Sequence, residues 1–140
     1  MSTRAVVQIR EANKTIRTLF VHGDGHPESL GYSLGKVLVA LEDPRKGAPV
    51  SDEVAMGELI ELGLLAEADN LQIGKVYVLG VNEEPGWDIE FVYKVFMGTK
   101  SGVWKINGKE GPLRNEGRKV FQGTPERWVA KREAFIAAGY

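Results

Sequence analysis

The sequence predicts an α+β fold: an antiparallel or mixed sheet of about five to six strands with three helices on one face, in the order ββααβββ(β)α. Three observations predict it. Residues 3–10, 14–22 and 87–95 alternate side chains with period two, the pattern of strands with two distinct faces. Between 27 and 42, and again near the carboxyl end, the apolar spacing changes to three and four, as in an amphipathic helix. Long strands joined by short turns, with so few helices, argue against a doubly wound parallel sheet. The 140 residues suit one compact α+β domain over 1–140, since a core of this size buries most of the surface that the unfolded chain exposes.

Residues 3–10 read as the first strand, with Ala5, Val7 and Ile9 alternating against Val6, Gln8 and Arg10. Glu11-Ala12-Asn13 is a turn, and 14–22 form a second strand whose two faces are both partly apolar, which places it toward the sheet centre. From Pro27 the helical stripe is Leu30, Leu34, Val37, Leu38 and Leu41. Proline suits the first helical position because its missing amide hydrogen has no partner there. Gly31 and Gly35 fall on one side of this helix, where each glycine costs about 1 kcal/mol against alanine. A sheet or another backbone is therefore expected to come close to them. Glu42-Asp43-Pro44 ends the helix.

Ser51-Asp52-Glu53 caps a second helix with the stripe Met56, Leu59, Ile60, Gly63 and Leu64, in which Gly63 is either an end or a kink, and 65–70 form a further short helical piece. Residues 75–81, apolar on both faces, read as a central strand. After the turn Glu83-Glu84-Pro85-Gly86, Trp87, Ile89, Phe91, Tyr93 and Val95 point one way and Asp88, Glu90, Val92 and Lys94 the other. Asn107-Gly108 predicts a hairpin, because this pair readily adopts two positive φ angles. Residues 119–122 are a last short strand, and Thr124-Pro125-Glu126 starts a terminal helix in which Trp128, Lys131, Phe135 and Ala138 share a face.

With no cysteine there is no disulfide framework, thiolate metal site or cysteine nucleophile. No stretch reaches the ~20 apolar residues of a membrane span, and Met1-Ser2-Thr3-Arg4 does not open a secretory signal. The expected location is the cytoplasm. A net charge of −1 conceals segregation: residues 1–40 carry five basic and three acidic groups, 41–90 three and twelve, and 91–140 ten and four. Such asymmetry bears on association more than on fold.

Three groups of residues could carry function. His22, Asp24, His26 and Glu28 crowd one Gly-rich turn, and His22, Asp24 and His26 are weak candidates for ligands of a divalent metal. The competing reading is architectural, with Asp24 bonding local amides and Gly25 at positive φ. A phosphate cradle is disfavoured, since Pro27 lacks an amide hydrogen and Asp24 and Glu28 repel anions. Asp88, Glu90 and Lys94 form a candidate acidic strand face, either a solvated surface or a magnesium-type site. Arg114, Arg118, Lys119, Arg127, Lys131 and Arg132 form a candidate basic surface. Trp104 and Trp128 could stack on nucleic acid there, but as large apolar side chains they are better core anchors. No Gly-x-Ser-x-Gly elbow is present.

Thr3, Arg4, His22, Asp24, Gly25, Pro27, Leu30 and Gly31, with Asp88-Ile89-Glu90-Phe91-Val92-Tyr93 later, resemble a group of short uncharacterised phage and prophage proteins. That group opens on a Thr-Arg strand and carries a His-x-Asp-Gly-x-Pro turn before a Leu-Gly helix; here His26 stands where tyrosine is usual. The resemblance implies an accessory protein of a virus or mobile element. The expectation is therefore a non-enzymatic phage-type protein that binds a host or viral macromolecule, inhibition of a host defence system being one role of that kind. A protein partner is favoured over nucleic acid, with no membrane and no cofactor. The alternative is a metal-dependent hydrolase or nuclease built on His22, Asp24, His26, Asp88 and Glu90.

Overall fold

The computed structural model describes residues 3–11, 14–42, 60–67, 75–78, 89–97, 104–111 and 117–140. Strands β1 (Arg4–Glu11), β2 (Lys14–His22), β3 (Lys75–Val78), β4 (Ile89–Met97), β5 (Trp104–Glu110) and β6 (Lys119–Gly123) form one sheet in the order β3-β2-β1-β4-β5-β6. The sheet is mixed. β1 and β4 are parallel at its centre, and every other neighbouring pair is antiparallel. Among the described residues it is accompanied by the α-helices α1 (Tyr32–Glu42), α2 over 60–67, α3 (Pro125–Ala130) and α4 (Arg132–Ala137), with a π-helical turn over Pro27–Gly31 leading into α1.

The two faces of the sheet follow the period-two pattern. Ala5, Val7 and Ile9 of β1, Leu19 and Val21 of β2, and Phe91, Tyr93 and Val95 of β4 pack against Leu30, Leu34 and Leu38, against Ile60 and Leu64, and against Trp128 and Phe135. The helices thus share one face, as the amphipathic stripes require. Val6, Val92 and Ile89 are buried on the opposite face, with Phe20 packed against them. Arg17 of β2 is ion-paired with Glu61 of α2, which ties the hairpin to the helical layer.

Several elements differ from the sequence expectation, each for a visible reason. The strand over 75–78 is at the sheet edge, paired only with β2 among the described residues, because the centre is taken by the β1–β4 pair. The alternation of β4 breaks near its start: Arg4 faces Ile89 but Ala5 faces Phe91, so Glu90 is an extra residue. That bulge turns Ile89 to the side of Val6 and Val92, away from Phe91 and Tyr93. Gly63 neither ends nor interrupts a helix, since 60–67 is helical throughout. A Cβ at Gly63 would lie 2.6 Å from Cγ1 of Val37, so the glycine admits α1.

The terminal helix is two short ones, broken at Lys131, whose backbone sits at φ −85° and ψ −3°. The break keeps Trp128 and Phe135 buried and leaves Lys131 and Ala138 exposed, so these four do not share one face. Asn107-Gly108 lies inside β5, paired with Lys94 and Tyr93 on one side and with Gln122 and Phe121 on the other. Space explains this glycine better than turn propensity does. A Cβ on Gly108 would stand 2.6 Å from Cη2 of Trp128. A Cβ on Gly31 would likewise stand 2.6 Å from the same indole, and one at Gly35 would lie 2.8 Å from the Pro125 carbonyl oxygen. The expected close approach at the Gly31/Gly35 pair is therefore that of α3 and its tryptophan.

Candidate functional site

The Gly-rich turn leaves β2 at His22 and enters α1 through a wide helical turn over Pro27–Gly31. Gly23 (φ 115°) and Asp24 (φ 53°) carry the left-handed backbone, and not Gly25 as expected. Gly25 is needed for space, since a Cβ there would lie 2.7 Å from that of Ala5. Its amide donates to the Thr3 carbonyl at 2.9 Å, and its carbonyl accepts from the buried Tyr93 hydroxyl at 2.6 Å.

The two histidines serve different sides of the sheet. His22 Nδ1 accepts from Arg4 Nε at 3.1 Å, and its ring lies 6.0 Å from that of Phe20, on the face of Val6 and Val92. His26 Nε2 lies 2.6 Å from Thr3 Oγ1, and its ring packs 5.7 Å from Phe91 on the helical face. Asp24 is exposed between them. Glu28 turns toward the carboxyl end: its carboxylate accepts from Ser29 Oγ at 2.9 Å and stands 4.0 Å from Arg132 Nε, while its amide donates to the Tyr140 carbonyl at 3.3 Å. The turn thus joins the start of β1, the middle of β4, the start of α4 and Tyr140 beyond it.

Burial pushes the Tyr93 phenol well above its ordinary range, and the Glu28 carboxylate adds to that rise. Desolvation also raises Tyr140, whose hydroxyl donates to Glu110 at 3.0 Å. Both phenols act as protonated donors. Neither was singled out from sequence: Tyr93 in a period-two apolar row looks like any other core residue, and Tyr140 follows the terminal helix outside any strand pattern.

Among the described residues no group of three or more histidine, aspartate or glutamate side chains converges as a metal site would require. His22 and His26 are divided by the sheet, so they do not meet at one ion. Asp88 lies outside the described residues, Glu90 is exposed at the bulge, and Lys94 stands in register with Gln8 and Asn107. The acidic face expected from strict alternation is therefore broken between Glu90 and Lys94.

The basic residues assemble more closely. Arg114 lies outside the described residues; Arg118, Lys119, Arg127 and Lys131 are exposed around β6. Two of them share one aromatic ring: the Arg127 guanidinium is 5.6 Å and the Lys131 ammonium 5.1 Å from the Phe121 centroid. The Lys131 break in the terminal helix and the i,i+4 spacing bring both cations over β6. Arg118 reaches Glu110 at 3.7 Å with 79% of its side chain still exposed. Arg132 departs from the group, lying 4.4 Å over the Tyr32 ring beside Glu28. On the sheet's other face Lys109 stands directly across from Lys119. Glu126 and Glu133 are also exposed on these helices. Trp128 is fully buried, as a core anchor should be, and donates its indole hydrogen to the Ile106 carbonyl at 2.9 Å.

Comparison of the chain with protein-family models, with curated proteins and with solved structures gives no match. Among the described residues no helix is long and apolar enough to cross a membrane.

Proposed function

We propose that this is a phage-type accessory protein that acts by binding an acidic surface of a host or viral protein, with β6 and α3 as its contact face. The observation that supports it most is the placement of Arg127 and Lys131, exposed and stacked over Phe121 and, among the described residues, not paired with carboxylates. Cations held over a ring lose less freedom on binding than solvated ones, and their charge remains available to a partner. Lys119, across from Lys109, carries positive charge to the other side of the same strand edge. The likeness to phage proteins at Thr3, Arg4, His22, Asp24, Gly25 and Pro27 supports the viral part of the reading. Inhibition of a host defence component is the role we assign to such binding.

The test compares two polyanions at near-physiological salt, poly-glutamate and single-stranded DNA, against wild type and the double variant Arg127→Glu/Lys131→Glu. Preference for poly-glutamate, weakened roughly tenfold or more by the variant, is the expected result, because two rim charges contribute together about 1–2 kcal/mol. Tighter DNA binding would transfer the face to nucleic-acid recognition. Binding of neither would remove the proposal.

A further inference from the structure

Deepening that reading, and resting on it, we infer that the partner is recognised as an extended acidic segment added alongside β6. β6 closes the sheet and pairs only with β5 among the described residues, so its outer edge presents backbone donors and acceptors to a further strand. What selects the strand is charge on both of its sides. Lys119, across from Lys109, lies on one face of the edge, and Arg127 and Lys131 lie on the other, over Phe121. Side chains of an added strand alternate between those faces, so a segment with carboxylates on both sides meets cations on both.

The same residues disfavour the wrong occupants. A second copy of β6 would bring Lys119, Arg127 and Lys131 against their own kind, and a neutral strand would leave those charges uncompensated. A bulge at Val120, where Gly108 faces Phe121 but Lys109 faces Lys119, interrupts regular pairing. Strand addition is therefore centred on Phe121, Gln122 and Gly123. Gln122, exposed and uncharged, offers the middle of that run without steric or electrostatic opposition.

The experiment titrates the full chain with a short synthetic peptide of glutamate and threonine, and with two versions N-methylated on alternate backbone nitrogens in the two possible phases. Methylation keeps the charge and removes the amide donors from one edge of the peptide at a time. The expected result is that one phase loses at least about tenfold in affinity while the other binds like the parent. The amide hydrogen of Gln122, which faces away from β5 while those of Phe121 and Gly123 face it, should then exchange more slowly in the complex. Equal binding of all three peptides would overturn strand addition and leave the cationic face standing. So would a parent peptide that fails to bind while poly-glutamate still binds in a manner dependent on Arg127 and Lys131. Failure of both ligands would overturn the two readings together.

Discussion

Trp128 shows how one side chain can dictate residues far from it in sequence. Its indole lies between Gly31 and Gly108, edge-on to Tyr93 and Phe121, with Phe135 also in contact. Gly108→Ala would push a methyl group into the ring, and should cost about 1–3 kcal/mol in denaturant unfolding. A cost near zero would mean that the indole has room to move. Tyr93 carries a pH-dependent consequence. Its folded phenol titrates above the unfolded value of about 10, so its contribution is complete below that pH and is lost as pH rises through the folded value. Stability should therefore fall on the alkaline side, with Tyr140 adding a contribution of the same sign. Tyr93→Phe should flatten that fall, and at neutral pH should cost about 1–3 kcal/mol because the buried Gly25 carbonyl loses its donor. At this scale the sequence was legible where glycines sat on a helix, as at Gly31 and Gly35. It misled at Asn107-Gly108, where local turn preference lost to the volume of an indole placed twenty residues on.

Among elements, the Gly-rich turn was legible as a junction and obscure as to its purpose. Its histidines looked like a ligand pair because they are close in sequence; the end of β2 sends one to each side of the sheet. Zinc or manganese should accordingly give no rise in Tm that His22→Ala or Asp24→Ala abolishes, and a rise abolished by both would restore the metal reading. His26→Ala should instead lower Tm by several degrees and speed amide exchange at Gly25, since His26 ties the turn to Thr3. The bulge at Glu90 and the break at Lys131 were beyond sequence patterning for a common reason. Each inserts a phase shift into a regular period, and the periodicity before and after it remains intact. The Lys131 shift also turned a residue assigned to the buried stripe into half of the cation pair over Phe121.

At the scale of the whole molecule, strand existence was readable and strand order was not. The hairpin of β1 and β2 is local, but the central parallel pairing aligns Ala5 with Phe91 and Val7 with Tyr93, and no local preference encodes a contact across that separation. Charge segregation was visible in the same coarse way: the basic carboxyl-terminal third became a positive edge, whereas much of the acidic middle lies outside the described residues. The topology has a kinetic corollary. β1 cannot gain its β4 partner until a loop spanning most of the chain has closed, so folding should be slow for this size, in the millisecond-to-second range. β5, β6 and α3 are near neighbours in sequence and join the sheet through β4. Val7→Ala, at the buried centre of the parallel pair, should therefore slow refolding if that pairing belongs to the nucleus, whereas Arg127→Glu/Lys131→Glu should change neither folding nor unfolding rate appreciably. Stopped-flow refolding of the two variants separates the possibilities. A Val7→Ala variant that only unfolds faster would place the central pairing after the barrier. A charge variant that refolds more slowly would show that the positive edge contributes to the fold.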